Sequence, residues 1–158
     1  MTDDVNAHTR QKAPEPNPAL KGLDVLVGEW DVEMSFPADP LSTARGHATF
    51  EWLAEGAYLN MRMGDRAGTS PWSLSIIGRD DASETYTMLY FDWRGVSRIY
   101  QMRLEGREWK QWRDAPGFSQ RFAGTLSEDG NTITARWEKS FDGTTWEHDF
   151  DLTYTRAK

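Results

Sequence analysis

The stretch TTWEHDFDLTYTR, Thr144 to Arg156, separates into two sets when read at every second residue. Trp146, His148, Phe150, Leu152 and Tyr154 form an apolar set interrupted by one imidazole. Glu147, Asp149, Asp151, Thr153 and Thr155 form a polar one. Side chains of an extended chain alternate between two faces, so the pattern is that of a strand with one face on a core and one in water. Asp142-Gly143 stands just before it, and an Asp-Gly pair beside alternating residues marks a hairpin turn. The stretch reads as the closing arm of a hairpin, with His148 turned inward.

The same period runs back through the chain. Trp30, Val32, Met34 and Phe36 alternate with Asp31, Glu33 and Ser35. Ala48, Phe50 and Trp52 follow, then Leu59, Met61 and Met63, then Trp72, Leu74 and Ile76. Tyr86, Met88 and Tyr90 come next, and Arg98 shares a face with Tyr100, Met102 and Leu104. Trp109, Gln111 and Arg113 lie on one face; Phe118, Phe122 and Leu126, and then Ile133, Ala135 and Trp137, complete the series. Asp129-Gly130 is a second strong turn, with Glu55-Gly56, Arg94-Gly95 and Glu105-Gly106 in support. About ten strands at the spacing of a sandwich or barrel predict an all-β fold. Short turns and the need to hide sheet edges favour an antiparallel up-and-down β-barrel. Pro18 to Leu26 is predicted as a short helix that plugs one mouth, with Pro18 in its first turn. Residues 1–17, with Pro14 and Pro16, are expected to be a disordered arm, and 18–158 one domain.

Composition bounds the function. The 158 residues include eight Trp, seven Phe and five Tyr, too much hydrophobe for a disordered chain. The net charge of -7 supplies no basic footprint for nucleic acid and opposes binding to anionic membrane surfaces. There is no cysteine, which excludes disulfides, thiolate metal sites and a cysteine nucleophile. The N-terminus is polar and lacks the apolar core of a secretory signal, so a cytoplasmic location is expected. No nucleophile elbow, phosphate loop or metal-spaced histidine cluster is present, so no reaction is assigned.

Two motifs carry a resemblance. Gly28-Glu29-Trp30 follows the short helix and opens the first strand, and Asp142-Gly143-x-x-Trp146 precedes Tyr154-Thr155-Arg156. Over roughly residues 20–156 the chain resembles the calycin superfamily, and most nearly the uncharacterised bacterial lipocalin-like proteins labelled DUF1579. The resemblance implies a barrel with a ligand cavity. In lipocalins the tryptophan pairs with a late basic side chain, a part Arg156 would take here as a structural clasp. Fatty-acid-binding proteins hold carboxylates with polar residues of late strands, a part that would fall to Arg113 and Gln111. Nitrobindins bind haem through a histidine near the C-terminus, where His148 stands. Their opening motif has two further glycines, replaced here by Val32 and Met34, whose bulk fills space a porphyrin needs.

The expected function is binding of a small hydrophobic or amphipathic molecule inside the barrel, with no cofactor. The expected ligand-facing residues are His148, Trp30, Phe50, Trp52, Tyr90, Tyr100, Arg113 and Phe150. Two alternatives stand beside this: a haem protein with His148 as axial ligand, and a cyclase or isomerase in which His148, Tyr90 or an arginine moves or stabilises charge. A homodimer packed through Leu59, Met61 and Met63 is a further alternative. Loops at 37–44, 66–71 and 114–117 are the expected mouth.

Overall fold

A computed structural model describes residues 15–158; the first fourteen residues of the expected arm lie outside the described residues. A 3-10 helix, Pro18–Leu26, leads into ten strands. These are β1 Gly28–Phe36, β2 Asp39–Leu53, β3 Tyr58–Asp65, β4 Pro71–Arg79, β5 Tyr86–Asp92, β6 Ser97–Glu105, β7 Glu108–Arg113, β8 Ser119–Leu126, β9 Thr132–Ser140 and β10 Glu147–Arg156. All pairings are antiparallel between sequence neighbours, and β1 pairs with β10 to close the barrel. Closure satisfies every edge, as expected of short-turn antiparallel strands. Among the described residues, no helix is long and apolar enough to cross a membrane.

The two ends of the barrel differ. One end is plugged by the 3-10 helix. Leu20, Leu23 and Leu26 recur every third residue, which places them on one face at three residues per turn, and all three are buried. The Asn17 side chain accepts from Ala19 N, and Pro18 occupies a position that needs no donor. Tyr86 OH donates to Ala19 O, and Trp52 Nε1 donates to Asp24 Oδ1 at 2.7 Å. Beneath this plug Phe50, Leu59, Ile77, Met102, Trp109 and Ile133 are almost wholly inaccessible.

The expected clasp is present. Trp30 is fully buried, donates from Nε1 to Leu26 O at 2.8 Å, and carries the Arg156 guanidinium 4.2 Å above its ring. Arg156 also donates to Val25 O and Val27 O, each at 2.7 Å, and to Gly130 O at 3.1 Å. It thus ties the plug, the end of β10 and the β8–β9 turn together. Gly28 has φ of 127°, and a Cβ there would lie 2.8 Å from Arg156 Nη1. The Gly-x-Trp motif is the space that this guanidinium needs.

Two strands depart from strict alternation, and both departures are bulges. In β10, His148 faces Glu138 while Phe150 faces Trp137, so Asp149 is the extra residue. Asp149 and Phe150 both turn inward, and His148 is left on the outer face. In β4, Pro71 faces Gly64 while Ser73 faces Met63, so Trp72 is extra. Beyond it Ser75 and Ile77 are buried and Leu74 is 39% exposed, the reverse of the Trp72, Leu74, Ile76 face expected from the sequence. Leu59, Met61 and Met63 face the lumen rather than a partner.

Aspartates organise many of the turns. Asp65 accepts from Thr69 and Ser70, Asp129 from Ser127 and Asn131, and Asp142 from Thr144 N and Thr145 N. These hydrogen bonds hold all three carboxyls below the ordinary carboxylate value; the chief donors are the Thr69 hydroxyl, the Ser127 hydroxyl and the Thr145 amide, respectively. A carboxyl depressed on folding stabilises the fold above its unfolded pKa and loses that effect as pH falls through the folded value. Urea midpoints should therefore hold steady down to pH of about 5 and decline below about 4. Asp142→Asn should shallow that acid decline.

Candidate functional site

The half of the barrel away from the plug is hollow. A cavity of about 590 Å³ opens at the end bearing the β1–β2, β3–β4, β5–β6, β7–β8 and β9–β10 connections. The expected mouth segments 37–44, 66–71 and 114–117 are all at this end, although residues 39–44 and Pro71 already belong to strands.

An aromatic arc forms one wall. Tyr90 meets Tyr100 edge-on at 6.0 Å, Tyr100 meets Trp137 at 5.5 Å, Trp137 stacks on Phe150 at 6.4 Å, and Phe150 meets Phe36 at 5.8 Å. Met34, Met61, Met63 and Met88, from β1, β3 and β5, line the cavity as well. Thioethers are polarizable and adapt to irregular shapes, so this lining suits ring-bearing or aliphatic bodies.

Polar groups collect towards the mouth. Gln120 Oε1 accepts from Arg98 Nη1 at 3.1 Å and from Tyr100 OH at 2.7 Å. Burial pushes the Tyr100 hydroxyl up. The Arg98 guanidinium also lies 5.1 Å from the Phe118 ring. In the β5–β6 turn Asp92 accepts from Arg94 Nη2 at 2.7 Å and from Tyr90 OH at 2.9 Å. The Arg94 guanidinium is the main reason the Asp92 carboxyl is held far below the ordinary range. Burial, then that hydrogen bond, pushes Tyr90 up to about 12. Asp149, displaced inward by its bulge, completes the rim and pairs with Lys139 Nζ at 3.3 Å.

Of the expected ligand-facing residues, Tyr90, Tyr100 and Phe150 line this cavity. Trp30, Phe50 and Trp52 belong to the plugged end: Trp30 to the clasp, Phe50 edge-on to Trp109 at 6.0 Å, and Trp52 to Asp24. Arg113 donates to Phe118 O at 2.9 Å and braces the β7–β8 turn; its strand neighbour Gln111 does line the cavity. His148 lies outside the wall, with Nε2 2.9 Å from Asp151 Oδ1. The residues lining the cavity include no histidine, so the set does not fit axial ligation of haem from His148. Trp146, expected inward, lies instead 4.1 Å from the outward Arg121 guanidinium.

Gln120 and Asp149 escaped the sequence reading for different reasons. Gln120 has the same parity as Phe118 and Phe122, and that parity signals its direction. Asp149 sits in the polar set of its strand, and only the bulge turns it inward. His148→Ala should change stability by no more than about 1 kcal/mol, as for other partly exposed contacts between ionisable side chains, in chemical denaturation. It should leave the affinity of any ligand of the cavity unchanged.

No protein-family model matches the chain, and no protein of curated function matches it. Sixteen chains of solved structures do match. One is the crystal structure of Rv2717c from M. tuberculosis, which aligns over 91% of this chain and 100% of that chain, with a TM-score of 0.58 and 12% sequence identity. At that identity the likeness establishes a shared barrel fold.

Proposed function

We propose that this protein binds a small amphipathic molecule within the barrel, its flat or aliphatic body against the aromatic arc and the methionines, and its head near Arg98 and Gln120. The observation that carries this is the contrast between the two halves of one barrel. One half is packed to near-zero accessibility by Trp30, Phe50, Trp109 and the leucines of the plug. The other keeps about 590 Å³ open and lines it with side chains large enough to have filled it. Arg98 can still donate from its remaining N–H groups, and a guanidinium fork matches a carboxylate.

Trp72, Trp93 and Trp137 line the cavity, so a bound ligand reports on itself. Titration with 2-naphthoate and with laurate should quench intrinsic fluorescence saturably. Ser73→Phe, which projects a ring into the lumen, should abolish the response. Absence of a saturable signal with either ligand in the unmodified protein would refute the reading.

A further inference from the structure

Below the aromatic arc, the cavity is not apolar. Gln111 on β7, Ser75 on β4 and Tyr154 on β10 all line it, with residue exposures of 4%, 3% and 2%. Among the described residues, none forms a hydrogen bond with the side-chain amide of Gln111 or the hydroxyls of Ser75 and Tyr154, and these polar atoms keep contact with the cavity. Burial alone pushes the Tyr154 phenol up. One step further towards the plug on β7, Trp109 Nε1 is fully buried and has no partner either. Trp109 packs edge-on against Phe122 at 4.7 Å and tilted against Tyr154 at 6.0 Å, so it belongs to the layer directly beneath.

Most polar groups of buried residues are hydrogen-bonded within the protein, so those that open unpaired onto a cavity are free to bond what it holds. Three from three different strands at the inner end of one cavity form a set. They are neutral, and between them they offer both donors and acceptors. The cationic groups of the cavity, Arg94 and Arg98, are placed at the other end, on the β5–β6 turn and at the second residue of β6. An alkyl tail pushed inward would bury these groups against methylene. A carboxylate pushed inward would meet no positive charge.

We propose that the ligand enters with a neutral hydrogen-bonding group, a hydroxyl or carbonyl on an aromatic ring, leading to Gln111, Ser75 and Tyr154. Its anionic or strongly polar end stays beside Arg98. The class is that of planar hydroxy- or oxo-aromatic acids rather than fatty acids. This rests on the cavity reading above and narrows it.

A matched pair tests it. 6-Hydroxy-2-naphthoate and 2-naphthoate share ring and carboxylate and differ only by a hydroxyl at the far end. Calorimetric titration should show the hydroxylated acid binding about tenfold tighter, the effect of one or two neutral hydrogen bonds gained in a buried site. Gln111→Leu, Ser75→Ala and Tyr154→Phe should each reduce that ratio while leaving 2-naphthoate affinity equal or greater. Tyr154→Phe should also melt no lower than the parent protein, because its hydroxyl has no partner to lose; this keeps a loss of preference distinct from a loss of fold. A ratio near one in the unmodified protein, a ratio untouched by all three substitutions, or laurate binding as tightly as the hydroxylated acid would overturn the proposal and leave the cavity reading standing. Binding of none of the three ligands would overturn both.

Discussion

Trp30→Ala should destabilise the barrel by about 3–5 kcal/mol, the range for truncating a buried tryptophan, and lower its melting temperature by roughly 10 °C. The ring is fully buried at the junction of β1 and the plug, and its indole N–H caps the plug at Leu26 O. Its partner should be nearly as sensitive. Arg156→Ala removes three hydrogen bonds to carbonyls and the cation above the indole, and about 2–4 kcal/mol is expected from charged donors of this kind. Arg156→Lys should rescue little, because an ammonium cannot reproduce a planar fork reaching Val25, Val27 and Gly130 together. A double-mutant cycle of Trp30→Phe with Arg156→Ala should show coupling above about 0.5 kcal/mol, since the two groups touch. Additive effects would mean that the stacking contributes nothing.

The second large effect concerns binding. Arg98→Ala should weaken 2-naphthoate by about 10–100-fold, the equivalent of one charge-assisted hydrogen-bonded contact. It should leave the methyl ester of the same acid almost unaffected. The fold should tolerate the change, because Gln120 Oε1 keeps its bond from Tyr100 OH. Equal losses for acid and ester would show that Arg98 shapes the wall and does not hold the charge. Rising salt should weaken the acid in the unmodified protein only modestly, since the site is a partly enclosed cavity.

Much of the site was legible from alternation alone. Tyr90 and Tyr100 lie in unbroken runs that end in the cavity, Phe150 leads the part of its run that lies beyond the bulge, Arg98 shares the face of Tyr100, and Gln111 that of Trp109. The plugged end was legible through its motif: Gly28, Trp30 and Arg156 are where the lipocalin resemblance places them, and the structure supplies the contact. What alternation cannot give is depth. Trp30, Phe50 and Trp52 point the same way as the cavity residues but lie at the other end of the same strands. An inward position is a binding position only if the layer at its height is left unfilled.

The histidine of TTWEHDFDLTYTR was misplaced for a second reason. A bulge adds one residue to one strand, and every residue before it then changes face relative to every residue after it. From Phe150 to Tyr154 the inward reading holds; at His148 it reverses. The same slip at Trp72 reverses the expected face of β4 and brings Ser75 to the cavity. Both bulges sit at the open end and each adds a side chain to the rim, Asp149 in one case and Trp72 in the other.

The amino-acid sequence by itself determined the all-β class, the number and order of strands, the turns and the leucine face of the plug. Period, turn chemistry and spacing are local properties that each segment carries with it. Only the tertiary structure decided which half of the barrel is hollow, that His148 lies outside it, and that Gln111, Ser75 and Tyr154 meet the same space without partners. Those facts depend on register between strands far apart in the chain and on how completely each layer is filled, and neither is written in any one segment.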